Sequence, residues 1–174
     1  MKLNLNIPAD FSPKQRGDMA EQYFLKGYNC CQSVLLAFAD ILEDASIANK
    51  QTLIAAGSGF GGGMGRLREV CGSFSAAVMI AGYIMPAPNP GNMEERTANY
   101  ALVQDLASAF KSENGGSVVC RELLSGVRPQ SAAENPRPSD RTPEYYKKRP
   151  CPKIINASAR IIAEKILAMC SLNE

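Results

Sequence analysis

The fold is decided by residues 57–83, G-S-G-F-G-G-G-M-G-R-L-R-E-V-C-G-S-F-S-A-A-V-M-I-A-G-Y, where a glycine-rich loop leads into a run of small and apolar residues. Six glycines from Gly57 to Gly65 give the backbone too much freedom for a regular element to continue. From Glu69 to about Tyr83 the run is unbroken, and it predicts a closely packed central helix. The turn-forming residues M-P-A-P-N-P-G at 85–91 end that helix.

Helical patterns flank this stretch on both sides. Capping residues such as Ser12 with Gln15 mark helix starts, and apolar residues three and four apart mark buried faces. Together these patterns predict helices over about 13–26, from near Cys30 to Leu42, over about 47–57, over about 93–112, and from about Cys151 through Met169, with a brief turn at Cys120–Leu124. The one notable β-branched run is V-V-C at 118–120, so the evidence for strands is thin.

A Pro-rich loop, about 125–152, precedes the last helix. Its six prolines, from Pro129 to Pro152, exclude a regular element there. We expect Tyr145 and Tyr146 to anchor this loop to the helices. Seven basic and three acidic residues from Arg128 to Lys153 indicate a solvated loop or, alternatively, a docking surface for an acidic redox partner.

The composition is that of an ordinary globular protein. With 174 residues, 45% hydrophobic and 21% charged, we predict a single all-α, bundle-like domain over 1–174 with its core at about 13–170. The net charge of +2 argues against a nucleic-acid partner, and no stretch reaches the roughly 20 apolar residues that a membrane span needs. The absence of histidine excludes a Ser-His-Asp triad, a Cys-His dyad and a His-ligated metal.

Six cysteines are therefore the main candidates for chemistry. We see no signal peptide and expect a cytoplasmic protein, in which cysteines are more often reactive, metal-binding or buried than cross-linked. No C-x-x-C occurs, so a zinc ribbon is not indicated. Four cysteines lie at the edges of predicted elements and can converge at one end of a bundle: Cys30, Cys71, Cys120 and Cys151. Cys31 and Cys170 are assigned no role.

Thiolates are favoured at helix starts, because unpaired backbone N–H groups and the helix dipole stabilise negative charge. Cys71 has the strongest pattern, with Arg66 upstream to stabilise negative charge and Glu69 as a candidate proton acceptor. The loop glycines, Gly61, Gly62 and Gly63 among them, either allow helices to approach closely or form a backbone nest around an anion or thiolate. The loop also contains G-x-G-x-x-G from Gly57, but without the strand that precedes it in a dinucleotide-binding fold.

Five blocks, taken together, resemble the redox-active C_GCAxxG_C_C proteins over about residues 20 to 168. They are G-Y-N-C (27–30), G-F-G-G-G-M-G-R (59–66), E-V-C-G-S (69–73), C-R-E-L-L (120–124) and C-P-K (151–153). The resemblance maps the family's four cysteines onto Cys30, Cys71, Cys120 and Cys151, and its C-G-A-x-x-G motif onto 71–76. Ser73 stands where the family has alanine, and Ala76 where it has the second glycine. The resemblance implies a redox class and no substrate.

Three functional hypotheses follow. In the first, the four cysteines gather near the glycine loop and work by thiol–disulfide exchange without a cofactor, with Cys71 as the low-pKa attacking thiolate and a redox protein, a small thiol or an anion as partner. In the second, the same four thiols hold zinc or an iron–sulfur cluster in an electron-transfer protein. In the third, the chain is a helical binding module whose cysteines are buried and inert. A homodimer is also possible, since helices rich in small residues pair closely.

Overall fold

The computed structural model describes residues 5–127 and 135–171, and the predicted all-α class is confirmed for them. The helices of these residues are α1 Pro13–Leu25, α2 Cys30–Leu36, α3 Ala39–Asp44, α4 Lys50–Gly57, α5 Gly72–Ile84, α6 Met93–Glu113, α7 Cys120–Leu123, α8 Pro143–Lys148 and α9 Cys151–Ser171. A short 3₁₀ turn, Ser58–Phe60, follows α4 directly. None of the helices within the described ranges is long and apolar enough to cross a membrane.

The core lies between α1, α2, α5 and α9. Helix α9 packs along α1, and α5 contacts α2, α6 and α9. The small residues of α5 make this possible, because Ala76 and Ala81 are fully buried and allow the neighbouring helices to come close. Where α5 meets α9, the hydroxyl of Ser158 donates a hydrogen bond to the carbonyl of Ser73 at 2.9 Å. This contact fixes the start of α5 against α9.

The single helix predicted from near Cys30 to Leu42 is wrong, because the chain forms α2 and α3 with a break at Ala37 and Phe38. The break has a tertiary cause. The buried guanidinium of Arg16, on α1, donates to the carbonyl of Ala37 at 2.7 Å and makes a two-pronged ion pair with Asp40 at 2.5 and 2.8 Å. It therefore binds a carbonyl at the point where the helix is interrupted.

The central helix begins at Gly72, three residues after the predicted Glu69. Glu69 and Val70 are extended instead, because Val70 forms an antiparallel β-bridge with Val119. Backbone hydrogen bonds on either side of the bridge join Cys71 N–H to the Val118 carbonyl at 2.8 Å and Cys120 N–H to the Glu69 carbonyl at 2.6 Å. This bridge holds the starts of α5 and α7 side by side.

The prediction that the Pro-rich loop excludes a regular element is also wrong, because it contains α8. Pro143 occupies the first turn, where its missing N–H costs nothing, and the Thr142 hydroxyl caps the helix by accepting from Tyr145 N–H at 3.2 Å. The predicted anchoring of the loop is confirmed at Tyr146, whose hydroxyl donates to the Phe24 carbonyl at 3.2 Å. Residues 128–134 of this loop lie outside the described residues.

Candidate functional site

A cavity of about 470 Å³ lies where four helices begin. Cys30, Cys120 and Cys151 are the first residues of α2, α7 and α9, and Cys71 is the N-cap of α5. All four line this cavity, and we call them the cavity cysteines. The structure thus brings together the four residues that the sequence distributes over more than a hundred positions.

The glycine loop forms one wall of the cavity and is attached to α2 through Asn29. The side-chain oxygen of Asn29 caps α2 by accepting from Cys31 and Gln32 N–H, and its amide nitrogen donates to the carbonyls of Gly57 and Ser58 at 3.0 and 3.1 Å. Gly61 and Gly62 line the cavity. A single side chain therefore fixes both the start of α2 and the start of the loop.

Two glycines make the close approach of the cysteines possible. A Cβ placed on Gly72 would lie 2.6 Å from the Phe60 carbonyl oxygen and 3.0 Å from Cys30 Sγ, so any side chain there would displace α2 from α5. A Cβ on Gly63, whose φ is +71°, would lie 2.7 Å from Cys120 Cβ. The glycines thus allow helix ends and the loop to pack in contact, which agrees with the close-approach interpretation.

The prediction of Cys71 as the low-pKa thiolate is wrong. Burial raises the pKa of Cys71 to about 12, a negative charge on Cys30 raises it further, and the hydrogen bond with the Ser73 hydroxyl at 3.2 Å opposes the rise only in part. Burial and the charge of Cys30 likewise raise the pKa of Cys151 to about 12. A thiol with such a pKa stays protonated near neutral pH, so neither residue supplies the attacking thiolate on its own.

Cys30 is the electrostatic centre of the group. After burial, its charge is the largest single factor that raises the pKa of each of the other three cavity cysteines. It is also partly exposed, whereas Cys71 and Cys120 are buried. Because a negative charge at Cys30 opposes ionisation of Cys71, Cys120 and Cys151, the four thiols do not ionise independently.

Positive charge surrounds the thiols. Four arginines line the cavity and, among the lining residues that the structure describes, there is no Asp or Glu: Arg66, Arg68, Arg141 and Arg149. Burial raises the pKa of Cys120, while the hydrogen bond and charge of the buried Arg68, and the charge of Arg149, oppose that rise. Arg66, predicted to support the site, lines the cavity and donates from Nε to the Asn135 carbonyl at 2.7 Å.

Glu69, the predicted proton acceptor, does not line the cavity. Its carboxylate pairs with Arg121, which donates from Nη1 at 2.8 Å. Cys31 is fully buried, with its sulfur 3.9 Å from that of Met79, and belongs to the hydrophobic core. Cys170, in the last turn of α9, is partly exposed and does not line the cavity either.

The donor chemistry of four thiols suits zinc or an iron–sulfur cluster. Within residues 5–127 and 135–171, however, no group of three or more His, Cys, Asp or Glu side chains is arranged so that it could hold a metal ion. The hypothesis of a single bound zinc ion thus has no supporting geometry in that part of the chain. The cluster hypothesis stays a prediction.

Sequence reasoning missed residues of the Pro-rich segment as part of the site. Arg141 lies just before α8 and Arg149 just after it, and both reach the cavity together with Tyr145. From the sequence alone, these basic residues predict only a solvated loop or a docking surface. The available signal was the short separation along the chain, since Arg149 is two residues from Cys151.

The chain matches a known protein family. The family model described as "Putative redox-active protein (C_GCAxxG_C_C)" matches residues 28–165, a range that contains all four cavity cysteines and the glycine loop. No curated protein and no solved structure matches the chain. Because the family match covers most of the sequence, the chain belongs to the C_GCAxxG_C_C family of redox-active proteins.

Proposed function

We propose that this protein performs thiol–disulfide exchange at the cavity, with Cys30 as the attacking thiolate and Cys71 as the resolving thiol. The observation that carries the proposal is the convergence of four cysteines, each at the start of a different helix, on one cavity. All four are free thiols, so a dithiol is available for oxidation. Membership in a redox-active family supports the same class of chemistry.

Cys30 suits the attacking role for two reasons. It is more exposed than Cys71 or Cys120, and it lies near all three other cavity thiols, since a negative charge on it acts on each of them. Cys71 suits the resolving role because the residue after it, Gly72, has its Cβ position only 3.0 Å from Cys30 Sγ. The hydrogen bond to Ser73 also lowers the cost of ionising Cys71 when it attacks.

The exchange is balanced in atoms and electrons. The Cys30 thiolate attacks one sulfur of a substrate disulfide, forms a mixed disulfide and releases the first substrate thiolate. Cys71 then transfers its proton to that leaving group and attacks Cys30 Sγ, which forms the Cys30–Cys71 disulfide and releases the second substrate thiolate. Two protein thiols are oxidised, and one substrate disulfide is reduced to two thiols.

A trapping experiment tests this proposal. Reduced protein is mixed with 2-hydroxyethyl disulfide, quenched in acid, and mapped by peptide mass spectrometry. We expect a Cys30–Cys71 disulfide in the wild type, and a stable mixed disulfide on Cys30 in Cys71→Ser, because the second step cannot occur. Cys170→Ser, a cysteine outside the cavity, is the matched control and should give the wild-type map.

Two other outcomes would each overturn the proposal. Iron and sulfide bound to anaerobically purified protein, with visible absorption that is lost in Cys30→Ser and Cys71→Ser, would establish the cluster hypothesis. Metal-free protein whose four cavity thiols stay reduced in the presence of the disulfide would establish the inert binding module.

A further inference from the structure

The cavity carries positive charge that the thiol chemistry alone does not require. Arg141 and Arg149 line it from the two ends of α8. Both guanidinium groups lie close enough to the sulfurs to lower the pKa of Cys151 against the raising effect of burial. The same positive charges therefore also act on a ligand that occupies the cavity.

The two arginines are held by aromatic rings and not by carboxylates. The guanidinium of Arg141 lies 4.7 Å from the Phe24 ring centre and 4.9 Å from that of Tyr145, and the guanidinium of Arg149 lies 4.5 Å from the Tyr145 ring. Within the described residues neither makes an ion pair. A cation–π contact with a ring positions a guanidinium without using its N–H groups, so Arg141 and Arg149 keep donors available for a planar anion such as a carboxylate.

We propose that the substrate of the cavity is a small disulfide, or its thiol, that carries carboxylate groups, and that Arg141 and Arg149 bind those carboxylates while the disulfide lies against Cys30. This inference rests on the proposed thiol–disulfide exchange and adds the substrate class. A volume of about 470 Å³ suits a small molecule. Because no Asp or Glu is present among the described lining residues, a cationic disulfide finds no counter-charge there.

Three small symmetric disulfides of similar length provide the test. They are 3,3′-dithiodipropionate, with two negative charges, 2-hydroxyethyl disulfide, which is neutral, and cystamine, with two positive charges. The single-turnover rate of each with reduced protein is divided by its rate with a free uncharged thiol, which removes differences in intrinsic reactivity. We expect the normalised rate to fall from dianion to neutral to dication, with about tenfold between the first two.

The arginines are tested by Arg141→Gln and Arg149→Gln, singly and together. The double variant should lose the preference for the dianion, so that its normalised rates with the dianion and with the neutral disulfide agree within about twofold. Lys148→Gln is the matched control, because it removes the same charge from an exposed residue of α8 that does not line the cavity. The preference in the wild type should also weaken as salt is raised, since ionic screening acts on the exposed Arg141 and the half-buried Arg149.

A binding measurement separates this inference from the proposed exchange. Suberate has the length and the two carboxylates of 3,3′-dithiodipropionate but no sulfur, so calorimetry reports recognition without chemistry. Binding that is lost in the double variant, with no disulfide reacting, would overturn the exchange and support the ligand class. Equal normalised rates for the three disulfides, or no binding of suberate, would overturn the ligand class and leave the exchange standing.

Discussion

The hydrophobic core and the cavity each contain a cysteine from the same turn of α2, and the two thiols have opposite surroundings. Cys31 is fully buried beside Met79, and its pKa is raised to about 12 by burial and by the charge of Cys30. Cys30, its immediate neighbour, is partly exposed and shares a cavity with three other thiols and four arginines. The face of the helix, and not the residue type, decides which thiol is available for chemistry.

The largest effect should come from removing Cys30, and removal of its neighbour Cys31 is the comparison. We expect Cys30→Ser to lower the single-turnover rate with 2-hydroxyethyl disulfide by at least about 100-fold, because the attacking thiolate is lost. Cys31→Ala should keep the rate within about twofold, while it costs about 1 kcal/mol of unfolding free energy through lost packing. Stopped-flow kinetics and urea unfolding measure the two quantities. An unchanged rate in Cys30→Ser would show that the cavity does not make the Cys30 thiol the one that reacts.

The next effect concerns the contact that holds the cavity against the core. Gly72→Ala should lower the unfolding free energy by about 2–3 kcal/mol, because the new Cβ would meet the Phe60 carbonyl oxygen at 2.6 Å and Cys30 Sγ at 3.0 Å. Gly82→Ala, in the same helix, is the control. Nothing lies within 4 Å of a Cβ there, and alanine should stabilise by about 0.5–1 kcal/mol. Equal changes in unfolding free energy for Gly72→Ala and Gly82→Ala would contradict the close approach of α5 to α2 at Gly72.

The helices could be predicted where local sequence decides them. Helix α6 begins after Asn92, whose side chain accepts from Glu95 N–H at 3.1 Å, and ends near the predicted position. The break at Ala37 could not be predicted, because it depends on Arg16, which lies 21 residues away along the chain. Likewise, Val70 is extended because it pairs with Val119. Both features are set by contacts that one-dimensional patterns do not contain.

The sequence predicted which cysteines form the candidate site, but it did not predict what each of them does. The position of the cavity cysteines at helix starts indicated that they could converge, which is how the structure places them. The role of Cys71 could not be predicted, because the rise of its pKa comes mainly from burial, which is a tertiary property. Arg141 and Arg149 were missed as cavity residues for the same reason, since their contacts with Phe24 and Tyr145 are made in the folded chain.

A smaller effect should appear in the pH dependence of stability. Cys31 has a pKa of about 12 in the folded protein against 9.0 as its ordinary value, so the unfolded chain releases its proton first as pH rises. Its contribution is complete below pH 9 and is lost between about pH 9 and pH 12. Between pH 7 and pH 10 the wild type should therefore lose about 1 kcal/mol more unfolding free energy than Cys31→Ala. Urea unfolding with a reductant present measures this, and parallel losses would show that Cys31 is not buried as described.

The smallest effect concerns the attachment of α8, which carries one side of the cavity, to the helical body. Tyr146→Phe removes the hydrogen bond to the Phe24 carbonyl but keeps the edge-on ring contact with Phe24, whose centre lies 5.5 Å away. A partly exposed bond of this kind contributes about 0.5–1 kcal/mol, which corresponds to about two- to fivefold more opening of the segment. Alkylation of Cys151 in the folded protein should accelerate by that factor, while alkylation of Cys31 stays unchanged because the core does not open with α8. Tyr100→Phe, at an exposed position on α6, is the control, and faster labelling of both cysteines in Tyr146→Phe would mean that cavity and core open as one unit.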